Sequence, residues 1–475
     1  MSHSSNQSPA AAPSVTKEQI VIVGVVVFGA FLALLNQTVM SPALPIIMAD
    51  FGIDATTAQW VMSVYPLVSG IMVPVSGFLI DRFPTRSLFF ASIIVFMGGT
   101  LACALAPGFE VLLLGRVLQA AGSGVLLPLV AVVPMIVFPK ERRGTAMGLA
   151  GIVMAAGPAV GPVVGGAIID SFGWRAVLGC IVPLAAIVLV CGIVMLKNVG
   201  ELKHPRLDIV SVVLSTVAFG GLLYGFSNAS SFGWVSVAVL APVAAGVLAL
   251  VAFVRRQNRL EEPLLRIQTL KTPDFRIAAI VVTLINASAL VTNTTLPILL
   301  QTALGASAMD TGLVMLPAAL AGLVVSPLSG IAFDRFGPRA MSIAGMAMMV
   351  GSMLALSQVG TGASLAVVAA LCAVQACGQG LANMPVNTWG VNALQNDLIA
   401  HGNAIANTGR QVAGGLATAL IVTLMTSVTA SNAANGLQVS TAQGVGAAYL
   451  ACASIAAVAL VLCIAKVRSP KKKQA

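Results

Sequence analysis

Apolar stretches of about twenty residues follow one another along almost the whole chain, separated by short polar connections. A backbone crossing lipid finds no water to bond, so each crossing must satisfy its own N–H and C=O groups; a helix of about 20 apolar residues does so. Windows of that size place spans at 20–47, 58–80, 87–106, 109–138, 144–169, 176–196, 209–227, 234–254, 277–303, 307–333, 340–358, 364–393, 402–426 and 444–465. The expectation is an all-α membrane protein with fourteen crossings and both termini on one side. Only 8% of the 475 residues are charged and 58% are hydrophobic, whereas soluble domains carry about a quarter charged residues. A soluble fold is excluded.

The formal charge of +10 is a statement about topology. Twenty-two of the 25 Lys and Arg residues fall in loops and tails on one side of the expected spans, from Lys17 through Arg255–Arg276 to Lys466–Lys473. The other side holds Arg175 alone, and Arg116 and Arg410 lie within spans. The positive-inside rule makes the charged side, with both termini, cytoplasmic. The same distribution leaves no concentrated basic face for nucleic acid. All seven cysteines lie in apolar runs without a CxxC pair, which reads as packing.

The segment Pro74–Arg86 (PVSGFLIDRFPTR) recurs as Pro327–Arg339 (PLSGIAFDRFGPR) at a constant offset of 253. Both copies fall on the basic side, so two halves of the chain run in the same sense, the plan of parallel six-helix repeats. Eight spans separate the copies instead of six, which requires two inserted helices. The expected organisation is a tail at 1–19, a first half at 20–196, two inserted helices with a basic linker at 197–276, a second half at 277–465 and a basic tail at 466–475.

Three motifs carry a resemblance. Gly77, Asp81, Arg82 and Arg86, echoed by Gly330, Asp334, Arg335 and Arg339, resemble the cytoplasmic loop motif of the major facilitator superfamily. A carboxylate at such a turn can cap a neighbouring helix and pair with arginine, latching the halves. The run Leu114-Gly-Arg-Val-Leu-Gln around Arg116 resembles the motif in which a buried arginine serves proton coupling; a charge in lipid implies a partner or a water cavity. In the fifth span, Gly148, Gly157, Gly161, Pro162, Gly165 and Gly166 match the spacing of the antiporter motif of exporters. Small residues there allow close helix contact, and Pro162 removes a donor. With Leu35–Pro45 and Gly173-Trp-Arg175, the chain resembles the fourteen-helix drug:proton antiporters of that superfamily, the group of multidrug and lincomycin-resistance exporters.

The resemblance implies export of amphipathic compounds against a proton gradient, with no cofactor, by a monomer in the bacterial inner membrane. One departure matters: many members carry Asp where this chain has Asn36, and Asn cannot titrate. No acid lies near a span midplane, which leaves Asp310 and Asp170, near outer ends, as candidate proton carriers with Arg116 modulating them. Intramembrane polar groups face protein or water, so Asn36, Tyr65, Asn293, Gln375, Asn383 and Arg410 are candidate cavity residues. The loops show no nucleophile with a base, no phosphate-binding glycine loop and no metal set, which leaves nothing to suggest an enzyme. Export of a physiological solute such as a bile acid, fatty acid or peptide is the alternative expectation.

Overall fold

Thr16 and Gln19 open the first helix by exchanging side-chain and backbone hydrogen bonds, a reciprocal cap that satisfies two N–H groups at its start. The structure, a computed structural model, describes residues 16–138, 143–198, 208–260, 263, 265–395 and 398–467. In order, the helices are α1 (Lys17–Val39), α2 (Leu44–Phe51), α3 (Ala55–Ala58), α4 (Trp60–Arg82), α5 (Thr85–Ala104), α6 (Phe109–Val137), α7 (Arg143–Phe172), α8 (Trp174–Met195), α9 (Ile209–Ser227), α10 (Ala229–Phe232), α11 (Val237–Gln257), α12 (Pro273–Ile298), α13 (Ala308–Leu356), α14 (Leu365–Asn392), α15 (Ile399–Ser431) and α16 (Leu437–Lys466). α12 continues into a π turn at Leu299–Ala303.

Among the described residues, twelve helical segments are long and apolar enough to cross a membrane, where the sequence leads one to expect fourteen. The expected spans 58–80 and 144–169 are the two missing from that set. They fall on α4 and α7, which have 23 and 30 residues, and several side chains of each lie outside the described residues. The expected tails lie largely outside them too.

The repeated segment forms the same bend twice by different means. In the first copy α4 ends at Arg82, Phe83 and Pro84 are extended, and α5 starts at Thr85. In the second copy Gly337, at φ 77°, breaks α13 into two arms; that left-handed conformation is one glycine adopts readily. The neighbours repeat as well. α1 packs on α6, α7 and α8 as α12 packs on α14, α15 and α16, and α5 lies against α6 and α8 as α13 lies against α14 and α16. Two seams join the halves: α4 against α15, and α7 against the first arm of α13.

The inserted pair packs backbone to backbone. A side chain at Gly221 would sit 2.7 Å from the Pro242 carbonyl, and one at Gly246 would sit 2.8 Å from that of Ala218. At its basic end Arg256 of α11 grips Asp208 at the start of α9 with two bonds of 2.6 and 2.8 Å. That guanidinium, helped by the Ser211 hydroxyl, holds the Asp208 carboxyl down to about 2. α9 then lies across one seam only, with Leu223 in a cluster formed with Leu67 of α4 and Val412 and Ala419 of α15.

Candidate substrate site

Every fourth residue of α14 from Gln375 to Asn387 carries a side-chain amide: Gln375, Gln379, Asn383 and Asn387. Four residues make slightly more than one turn, so the amides form one stripe. The stripe faces a cavity of about 550 Å³ closed by Thr292 and Asn293 of α12, Met315 and Leu323 of α13, Arg410 of α15 and Pro162 of α7. Gln375 Nε2 donates to Thr292 Oγ1 at 2.9 Å, while its Oε1 is buried without a protein partner. Arg410 Nη2 donates to Asn407 Oδ1, one turn earlier, at 3.3 Å. Among the described residues, Arg410 is the one charged residue of this lining.

A second polar cluster lies in the first half. Arg116 is fully buried; its Nε donates to the Val61 carbonyl at 3.1 Å, and its Nη1 donates to the Asn36 carbonyl at 3.3 Å and Gln119 Oε1 at 3.0 Å. Its guanidinium carbon lies 4.6 Å from the centre of the Tyr65 ring. Tyr65 in turn donates to the Ala33 carbonyl. The second terminal nitrogen of Arg116, both side-chain polar atoms of Asn36 and of Gln59, and the Ser63 hydroxyl are buried without protein partners. Buried polar groups nearly always find a partner, so this cluster is built to take up water or a polar ligand. Among the described residues, no acid bonds Arg116.

The fifth-span glycines mainly serve a contact inside one half. A side chain at Gly157 would meet Leu34 and Leu35, one at Gly161 would meet Thr38, and one at Gly165 would meet Val39, all on α1. The stripe repeats every four residues and lets α7 lie directly on α1. Only its far end reaches the other half: Gly166 abuts the Ala308 backbone, and the Pro162 carbonyl faces Gly312.

Among the described residues, several hydrogen bonds join the halves at this end, opposite the basic one, and Thr408 donates to the Gly70 carbonyl at 3.4 Å deeper in the α4–α15 seam. Asp170 of α7 accepts from the backbone N–H groups of Ala308 and Met309 at 3.2 and 2.8 Å, capping the start of α13 from the opposite half. Such a carboxylate suits the positive end of a helix dipole. Gln301, on the π turn, donates to the Pro42 carbonyl at 2.8 Å, Ser41 donates to the Asn293 carbonyl, and the Thr56 and Thr426 hydroxyls pair at 3.2 Å. Asp310, by contrast, bonds Ser307 within its own helix cap. At the same end Trp174 and Arg175 of α8 both donate to Asp50, and Arg175 above all holds that carboxyl below its ordinary value.

A family model described as Major Facilitator Superfamily matches residues 26–418. The chain belongs to that superfamily. It is 41% identical over 442 residues, 93% of this chain and 94% of that protein, to an uncharacterized MFS-type transporter, YcnB, of Bacillus subtilis (strain 168). It is 36% identical to the lincomycin resistance protein LmrB of Listeria monocytogenes, over 90% and 89% of the two chains. With a multidrug resistance protein B homolog of Mycobacterium tuberculosis it shares 30% identity, over 85% and 75%. A solved bacterial homolog of the human lysosomal transporter Spinster, in an inward-facing and unoccupied conformation, matches in fold with a TM-score of 0.72 over 95% of this chain and 97% of that one, at 13% identity.

Within this superfamily member the expected site residues separate into groups. Asn293, Gln375, Asn383 and Arg410 line the cavity, whereas Asn36 and Tyr65 belong to the Arg116 cluster. Arg86 and Arg339 donate to the carbonyls of Ile193 and Ile464, in the last turns of α8 and α16. Each of these two bonds lies inside its own half. Arg82 ends α4 and is exposed. The surroundings of Gly77 and Gly148 and the side chains of Asp81, Asp334 and Arg335 lie outside the described residues. Sequence reasoning missed Gln59, Ser63 and Thr292. The four-residue spacing that joins Gln379 and Asn387 to Gln375 and Asn383 is the signal in the sequence that marks the amide stripe.

Proposed function

We propose that the chain exports amphipathic drugs or related toxic compounds from the cytoplasm in exchange for protons. The observation that carries this reading is the cavity of amides and apolar side chains beside a far end tied shut between the halves. Ligand cavities of a few hundred Å³ with a largely apolar lining and a few placed polar groups suit amphiphiles. The likeness to lincomycin and multidrug resistance proteins supports export.

A fourteen-span arrangement with cytoplasmic termini completes the proposal. At 1.5 Å per residue, the 23 residues of α4 and the 30 of α7 extend about 35 and 45 Å, enough to cross the roughly 30 Å hydrocarbon layer. The one-sided distribution of Lys and Arg supports the orientation. Asp170 is the favoured proton acceptor, because its carboxylate joins the halves and protonation from outside would weaken that join. The protein acts as a monomer, without cofactor, and binds no nucleic acid. Export of a physiological anion such as a fatty or bile acid is a second reading, favoured by Arg410 as the sole charge of the cavity.

The test is uptake of labelled amphiphiles into inverted membrane vesicles energised to acidify their interior. Uptake that an uncoupler abolishes supports proton-coupled export. Uptake equal to that of vesicles lacking the protein overturns export, and uptake insensitive to the uncoupler overturns the proton exchange.

A further inference from the structure

We propose that the cavity is an anion site whose ligand carries a carboxylate, sulfonate or similar oxyanion head on an apolar body, with Arg410 as the anchor of the head. This rests on reading the cavity as the transport site and names the class of substrate it selects.

Arg410 lies eleven residues into α15, about 17 Å along the helix axis, at a depth where a charge is expensive unless it has a partner or faces a polar space. The bond to Asn407 occupies one nitrogen at 3.3 Å. Among the described residues Arg410 takes part in no ion pair, and no acid lines the cavity. A planar guanidinium presents parallel N–H donors that match an oxyanion in bidentate fashion. The amides of Gln379, Asn383 and Asn387 add donors along the same wall. Leu296, Met315, Leu323 and Met384 supply the apolar surface for the body, and methionine adapts to varied shapes. A cation entering this space would lose hydration and meet a like charge, with no carboxylate to replace the water.

The experiment measures binding of three fluorescent probes to the purified full chain in nanodiscs of zwitterionic lipid: a dansyl-labelled decyl sulfonate, the matching alcohol and the matching trimethylammonium. The sulfonate keeps its charge at every pH used. The proposal expects the sulfonate to bind at least tenfold more tightly than either partner, Arg410→Gln to erase that preference and Arg410→Lys to keep part of it. Asn383→Asp, which adds a negative charge to the same wall, should weaken the sulfonate at least tenfold relative to the alcohol; it serves as the test if Arg410→Gln does not fold. Equal binding of all three probes, tighter binding of the ammonium, or a preference that survives Arg410→Gln or Asn383→Asp overturns the anion site. Vesicle transport separates this from the export reading. Selective binding without uptake of any probe refutes export and leaves the anion site standing, while uptake without charge preference does the reverse.

Discussion

The carboxylate of Asp170 accepts the backbone N–H of Met309 at 2.8 Å, so an acid of α7 caps a helix of the other half. Its second oxygen takes the N–H of Ala308. Opening the far end must break both bonds.

Replacing a capping acid by alanine costs about 1 kcal/mol, roughly a fivefold change in a two-state ratio. Asp170→Ala should move the conformational balance toward the outward-open form by about that factor, measured as labelling of a cysteine placed at Ala308 from outside the cell. Asp310→Asn, which alters only a local cap, should leave the balance where it is. Labelling in Asp170→Ala equal to that of the wild type would refute the assignment.

The glycine stripe separates two effects. Gly157→Leu or Gly165→Leu pushes α1 off α7 and should lower stability by about 1–3 kcal/mol, as overpacking does, and abolish export. Gly166→Ala instead meets the Ala308 backbone across the halves. It should leave the melting temperature of the detergent-solubilised protein nearly unchanged and hold the far end open. Full transport in either leucine variant would reduce the stripe to ordinary packing.

Electrical driving force is a third expectation. A membrane potential contributes about 2.3 kcal/mol per elementary charge per 100 mV. Expelling an anion while a proton enters moves two charges in the favourable sense in a cell with a negative interior. Collapsing the potential of inverted vesicles with valinomycin and potassium should reduce sulfonate uptake severalfold more than alcohol uptake. Equal reductions would exclude net charge movement with the anion.

The Asp208–Arg256 pair ties the basic ends of the inserted helices, and its carboxyl is held down from the ordinary 3.8 to about 2. A lowered acid stabilises the folded state above the ordinary value, and that contribution is lost as pH falls through the lowered one. Asp208→Asn should therefore lower the melting temperature at pH 7, and the difference should shrink as the pH is taken from about 4 toward 2. A difference constant with pH would mean that the residue acts through shape alone.

Much of the architecture was legible because lipid imposes length and charge rules on each segment. The repeat at Asp81 and Asp334 exposed the two halves, and glycine spacing marked a close helix contact in the fifth span, since only small residues permit such approach, without naming α1 of the same half as its partner. The grouping of side chains was not legible. A helix that is apolar on every face gives no periodic signal of which side meets protein, so Asn36 and Tyr65 could not be told apart from the residues around Arg410. The cap that Asp170 places on α13 was not legible either, because its partners are backbone groups about 140 positions away, which leave no mark in side-chain chemistry.

The inserted helices make the two seams unequal. Among the described residues neither inserted helix covers the α7–α13 seam, but α9 bridges α4 and α15 through Leu223 and sets the Tyr224 ring 6.3 Å from that of Trp60. Rocking of the halves has to shear or carry that bridge on one flank and meets no such splint on the other. The nearly twofold arrangement thus carries a brace on one flank that its own repeat does not supply on the other.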